Sequence, residues 1–191
     1  MNQLITTQGK TKSLAVADQT APPGQYLTFM LGGEVFAIGI LNIKEIIDFG
    51  NLTEVPMMPV FVRGVINLRG SVVPVIDLSA RFGRQSTKIA RRTGIVIVET
   101  NHQSHSEEVT SHQDIGIIVD AVNEVIEIDS KDIEPAPAFG TKIRPDFING
   151  MAKHQQGFII LLNVNQVLSV DEMAAIGEVE LQHHDLNLAK P

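Results

Sequence analysis

This 191-residue sequence predicts an all-β protein built from two copies of one five-strand unit. Three observations carry that reading. From Gln25 onward the chain is a series of short Val- and Ile-rich runs separated by Gly and Pro turns, the pattern of small barrels or a sandwich. Helical periodicity is scarce. The sequence also repeats itself: "FAIGILNIKEII" (36–47) lies over "IGIIVDAVNEVI" (115–126), "TEVP" over "EPAP", "FVRGVI" (61–66) over "FINGMA" (147–152), and "SVVPVIDL" (71–78) over "GFIILLNV" (157–164). The offset drifts from 79 to 86 as loop lengths change, but the order is kept. Each copy is too small to bury a good core alone, so the two are expected to pack side by side. The overlay leaves open whether strands cross from one unit to the other.

Taken in order, residues 1–24 are polar, break at Pro22-Pro23-Gly24, and read as a flexible lead-in without a signal-peptide core or lipidation motif. The first unit, about 25–83, opens with "QYLTFML" and "EVFAIGI" around Gly32-Gly33, a hairpin signal because glycine accepts the positive φ of a tight turn. "NIKEII" is either one helical turn or a bent strand. "GVINLRG" and "SVVPVIDL" complete the unit, and Pro74 predicts an edge strand or a bulge, since it cannot donate to a ladder. A linker at 84–90 leads to the second unit, about 91–170, with "GIVIVET", "DIGIIVDAV", "EVIEI" and "GFIILLNV". Ser169 and Glu172 have capping-box spacing and predict a short helix over about 170–180. The folded domain is expected over 25–176, with 177–191 as a tail. No run of 18 apolar residues occurs, so no membrane span is expected.

Charge and chemistry narrow the function. A net charge of −7 argues against a general nucleic-acid binder, which must neutralise phosphates. Without cysteine there is no disulfide, thiolate metal site or cysteine nucleophile, as a cytosolic protein allows. No nucleophile elbow, P-loop, dinucleotide fingerprint or zincin helix appears, so no enzymatic activity and no cofactor is expected. His102, His105 and His112, with Glu107, Glu108 and Asp114, have ligand chemistry. They sit in a polar hairpin loop at 101–113 that does not preorganise ligands, and no metal is assigned to them; His183-His184 in the tail reads the same way.

The arginines are more informative. Between 63 and 92 there are seven positive residues (Arg63, Arg69, Arg81, Arg84, Lys88, Arg91, Arg92) against one acid, Asp77, so this segment is +6 and the remainder −13. The stretch reads as a solvated linker or as a patch for an acidic protein partner. Arg63 overlays Asn149 and Arg69 overlays Gln155, whereas Gly64/Gly150 and Glu45/Glu124 are kept. A residue required by the unit should persist in both copies. Arg63 and Arg69 are therefore assigned work outside the unit.

"VINLRGSVVPVIDL", with "FAIGILNIKEII", "VPMMPVFVRG", "IGIIVDAVNEVIEI" and "IEPAP", resembles the CheW chemotaxis coupling proteins from about Gln25 to Met173. The resemblance implies two intertwined five-stranded SH3-like barrels and no catalysis. It implies an adaptor, in the cytoplasm and recruited to membrane-associated chemoreceptor arrays, that couples the regulatory domain of the histidine kinase CheA to the cytoplasmic tips of methyl-accepting chemoreceptors. Neither nucleic acid nor bare membrane is an expected partner. Carried over by position, the receptor groove comprises Ile43, Glu45, Ile46, Arg69 and Val96, with Glu45 close enough to pair with Arg69, and Arg63 and Gly64 belong to the kinase side. The alternatives are a paralogue serving another chemosensory pathway, such as twitching motility, and an unrelated small-barrel module binding peptide or RNA.

Overall fold

The structure is a computed structural model that describes residues 24–103, 110–136, 143–155, 157–169 and Glu172. The strands are β1 (Gly24–Leu31), β2 (Glu34–Gly39), β3 (Ile43–Asp48), β4 (Val62–Leu68), β5 (Ser71–Asp77), β6 (Gly94–Gln103), β7 (Thr110–Val119), β8 (Ala121–Ile128), β9 (Ile133–Glu134), β10 (Ile148–His154) and β11 (Gly157–Leu162). Two single-turn helices, α1 (Leu78–Arg81) and α2 (Val164–Val167), follow β5 and β11.

The strands form two sheets, ordered β8-β1-β2-β11-β10-β9 and β3-β6-β7-β5-β4. Exchanging β1, β2, β3, β4 and β5 with β6, β7, β8, β10 and β11 converts the second order into the first five strands of the first, which β9 then extends. The repeat read from the sequence is thus a pseudo-symmetry of the fold. The copies are intertwined: the opening hairpin of each, β1–β2 or β6–β7, leaves its own copy and pairs with the other. Two short parallel ladders join them, Val35–Ala37 along Ile159–Leu161 and Val75–Asp77 along Gly116–Ile118. Each sheet curls into an open barrel; among the described residues no ladder links β3 to β4, the two edges of the second sheet.

Three clusters of buried side chains follow. Ile66, Val73, Val75, Ile95, Ile97 and Ile118 fill the five-stranded unit. Ala37, Ile128, Ala152, Ile159 and Leu161 fill the other. The largest lies between the units and includes Phe29, Phe36, Phe82 and Phe147, whose rings follow one another at 6.1, 5.8 and 6.1 Å. Burying one such ring stabilises by roughly 1.5–3 kcal/mol, so the seam between the units is as much a core as either interior.

Local expectations met mixed outcomes. Gly32 and Gly33 take φ of 58° and 83° and close the β1–β2 hairpin. "NIKEII" is a bent strand: a 3-10 turn, Ile40–Asn42, redirects the chain into β3, and a bulge follows between Ile43 and Glu45. Pro74 is on neither an edge strand nor a bulge, because β5 lies between β7 and β4. It is accommodated because the ladder to β7 begins one residue later, at Val75. The histidine segment is more strand than loop, since β6 and β7 extend to Gln103 and Thr110 and pair Asn101 with His112 and His102 with Ser111. His105 and His183-His184 lie outside the described residues, as does most of the helix expected over 170–180. At its start the Glu172 N–H donates to Ser169 Oγ at 3.4 Å, the bond that the capping spacing predicts. Residues 1–23 of the lead-in expected over 1–24 and the tail from 177 also lie outside the described residues, and Gly24 itself opens β1.

Candidate partner-binding groove

β3 is an edge strand, so one side of its backbone is free and its side chains border the seam. Across the ladder Ile43 faces Val98, Glu45 faces Ile97, Ile46 faces Val96 and Ile47 faces Ile95. The bulge takes Lys44 out of this register. Ile43 and Ile46, three apart, therefore share the seam-facing side with Val98 and Val96, while Glu45 and Ile47 turn toward the barrel interior. Ile43 packs on the seam core and Ile46 is 46% exposed. Lys44 turns outward and pairs with Glu99 at 3.0 Å and Asp114 at 2.7 Å. The Asp114 hydrogen bond, with that of Glu99, raises the Lys44 ammonium above its usual range.

Arg69 occupies the two-residue turn between β4 and β5. Its φ of 52°, with 91° at Gly70, gives a turn in which both central residues are left-handed. Gln155 has φ of 50° at the matching place, so this backbone shape belongs to the turn and not to the guanidinium. The Arg69 Nη2 donates to Glu45 Oε2 at 2.9 Å. β3 and β4 lie at opposite ends of their sheet, so this pair bridges the open mouth of the barrel. The Arg69 side chain is 80% exposed and Glu45 only 25%: the carboxylate is held in, and the unused guanidinium donors face solvent. In the second copy Glu124 and Gln155 make no such bond with each other among the described residues.

β3 thus carries an apolar strip, Ile43 and Ile46, on its seam-facing side and, on its other side, Glu45, which holds Arg69 at the barrel mouth. Val96 lies under that strip but has no exposed surface; it supports Ile46 from the seam core rather than offering contact itself. The sequence could not show this, because β6 is apolar at four successive positions, 95–98, and gives no alternation to choose a face. Leu41 was missed. It stands 97% exposed in the 3-10 turn that precedes β3, and its counterpart in the second copy is Asp120, which accepts the Gly32 N–H at 2.7 Å. The same comparison of copies that singled out Arg69 would have found it.

Arg63 and Gly64 have a different character. Arg63 Nη1 donates to Asp77 Oδ2 at 3.2 Å. Asp77 is fully buried and also accepts from Ser79 N, Ala80 N, Thr87 N and Thr87 Oγ1, capping α1 and pinning the inter-copy linker. In the second copy both partners change together: Asn163 replaces Asp77 and caps α2, and Asn149 replaces Arg63 and donates to Leu162 O. The guanidinium is absent there because its carboxylate is absent. Arg63 therefore has a structural task, contrary to the reading that assigned it outside the unit. Gly64 is buried with φ of 143°, and a Cβ on it would stand 2.2 Å from Thr53 O. Gly150 repeats the close approach, at 2.4 Å from Ile133 Cγ2. Both glycines let the bridging segment, Thr53 or β9, lie across the neighbouring strand.

At the far side of the seam Arg81 joins the copies. Its side chain is almost wholly buried between the rings of Phe61 and Phe147, at 5.2 and 4.8 Å, and donates to Val167 O and Glu172 Oε2, each at 3.1 Å. Burial pulls the guanidinium below the usual arginine range, and Glu172 opposes this. Arg144 also lies over Phe147, at 4.5 Å, and binds Asp146 and Glu172. Its hydrogen bond to Asp146 holds it above the usual arginine range and Asp146 below the usual carboxylate range.

Among the described residues no helix is long and apolar enough to cross a membrane. The family model for the CheW-like domain matches residues 25–172. The chain is 30% identical over 159 residues to the chemotaxis protein CheW of Klebsiella aerogenes, covering 83% of this chain and 90% of that one. It is 33% identical over 147 residues to CheW of Helicobacter pylori, covering 77% and 82%. It is also 28% identical over 163 residues to Protein FrzA of Myxococcus xanthus, covering 85% and 96%. Among solved structures it is similar to the scaffolding protein TtCheW of Thermoanaerobacter tengcongensis, with 35% identity, a TM-score of 0.66, and coverage of 78% of this chain and 90% of that one. With its intertwined barrels and the family's signature running through both copies, this chain belongs to the CheW family.

Proposed function

We propose that this chain is a non-catalytic chemotaxis adaptor: it couples the regulatory domain of the histidine kinase CheA to the cytoplasmic tips of methyl-accepting chemoreceptors. The observation that carries the receptor side is Arg69, held by Glu45 beside the half-exposed Ile46, with its remaining donors open to solvent. A receptor tip is a helical hairpin, and a helix in an apolar groove needs aliphatic contact and a polar rim. Ile43, Ile46 and Leu41 supply the first. Arg69 supplies the second, since a pre-oriented guanidinium binds a carboxylate with little further ordering. Val96 keeps the strip rigid. Arg63 and Gly64 shape the kinase-facing side indirectly, through Asp77 and the Thr53 bridge. The protein works in the cytoplasm and reaches the membrane only through its partners.

Arg69→Ala tests this reading. Coupling, measured as kinase activation and co-sedimentation with receptor and kinase, should fall roughly thirtyfold in affinity, the effect of losing an interface hot spot of ~2 kcal/mol. The melting temperature should hold, and Gln155→Ala should change neither. Normal coupling by a folded Arg69→Ala protein would move the groove elsewhere. Similarity to Protein FrzA favours a second reading, an adaptor of another chemosensory pathway. Exchange of receptors in the same assay separates the two.

A further inference from the structure

We infer that the loop carrying Lys88, Ile89, Arg91 and Arg92 is a docking surface for an acidic protein segment, separate from the groove at β3. Of the seven cations between 63 and 92, four are taken up within the protein: Arg63 by Asp77, Arg69 by Glu45, Arg81 by Glu172 and Arg84 by Glu34. Lys88, Arg91 and Arg92 are exposed and make no ion pair among the described residues. No acid occurs between Leu78 and Val98, so nothing in the local sequence neutralises them. Ile89, 44% exposed, sits among them and gives the patch an apolar centre.

The loop is also held still. Thr87 is buried and donates through its N–H and hydroxyl to Asp77, at 2.8 and 3.0 Å. At the other end Ala90 N donates to Thr93 Oγ1 at 2.8 Å, Thr93 N returns a bond to Ala90 O at 3.1 Å, and Phe49 N donates to Thr93 O at 3.3 Å. A solvated linker needs none of these anchors. Fixing the loop before binding removes much of the ordering cost of association. Two adjacent guanidiniums suit carboxylates held in a fork. The occupant is an acidic protein segment rather than a lipid surface. Polybasic lipid sites use clusters of about four to eight Lys and Arg, and here three stand on a chain whose net charge of −7 is repelled by anionic bilayers. Such a patch steers and selects its partner, and its strength falls as salt rises.

The test uses the full chain and a fluorescein-labelled peptide, EELEDLEE, followed by anisotropy at low and physiological salt. The wild type should bind, more weakly as salt rises, and Lys88→Ala/Arg91→Ala/Arg92→Ala should lose roughly tenfold or more in affinity with an unchanged melt. Removing the same charge elsewhere, in Lys44→Ala/Lys131→Ala/Lys153→Ala, should cost far less. Ile89→Ser should weaken binding of EELEDLEE but not of EESEDSEE. Equal losses in the two triple variants would reduce the effect to net charge and overturn the proposal. So would wild-type protein that sediments with phosphatidylserine vesicles but ignores the peptide. Receptor coupling of the loop variant, measured in parallel, reports on the β3 groove independently.

Discussion

Two matched places in the copies look alike in the overlay and differ in physics. At the first, Arg63 and Asp77 of one copy become Asn149 and Asn163 of the other. Both versions cap a helical turn after the last strand, one with a buried carboxylate paired to a part-buried arginine and one with neutral amides. At the second, Glu45 and Glu124 are kept while Arg69 becomes Gln155. Here the backbone is unchanged, with φ of 52° and 50°, and only the guanidinium is lost. A pair replaced as a pair serves the fold. A cation missing from beside a retained partner and an unchanged backbone is free to serve something else.

The sharpest way to break this comparison is Asp77→Ala. It strands Arg63 and frees the donors of Ser79, Ala80 and Thr87, so a loss of ~3–5 kcal/mol is expected, read as a melting temperature lower by on the order of 10 °C. Asn163→Ala removes a neutral cap and should cost ~1 kcal/mol. Arg63→Asn/Asp77→Asn installs the second copy's solution in the first and should melt above Asp77→Asn alone. If the double variant is no better, the two places are not interchangeable solutions of one problem.

Gly64→Ala comes next. A Cβ 2.2 Å from Thr53 O forces the bridge apart, and a loss of ~3 kcal/mol or more is expected. Gly150→Ala should behave alike. Gly70→Ala has the same backbone handicap, at φ of 91°, but open space around the new methyl, so only ~1 kcal/mol should be lost. Chemical denaturation of the three variants separates contact from conformation.

Glu172→Gln leaves the buried Arg81 without its carboxylate and should lower stability by ~1–3 kcal/mol. Faster amide exchange should follow at Val167 and Leu168, beside the seam. The smallest effect is that of Arg69→Ala on folding. An ion pair with one side chain 80% exposed contributes at most ~1 kcal/mol, a few degrees of melting temperature. A large drop would make Arg69 a structural strut of the barrel mouth, like Arg63, and erase the contrast between the two sites.

Much of this was legible in the sequence, and the failures have physical causes. Gly64 and Gly150 were rightly read as backbone requirements, because only a missing Cβ permits such close approach. Arg63 was misread because the overlay compared residues one at a time, and its buried partner lies fourteen positions away on another strand. Pro74 was misplaced because a proline at the end of a short ladder looks, in sequence, like one at the edge of a sheet. Asp77 was counted in sequence as the one acid of a basic stretch, because the turn of helix it caps is too short to show a periodicity.

By itself the sequence determined that there are two copies, which runs are strands, where the chain must turn tightly, and which cations lack a counterpart. These depend on composition, alternation and glycine, all local quantities. Only the tertiary structure decided that each opening hairpin pairs with the other copy, that the seam between the units became the largest core, and that Val96 lies beneath the groove while Arg69 stands at its rim. Strands of the same alternation satisfy their hydrogen bonds equally well in either sheet. The choice between them rests on contacts between residues far apart in the chain, such as Val75 with Gly116 or Arg81 with Glu172, and no local pattern encodes those.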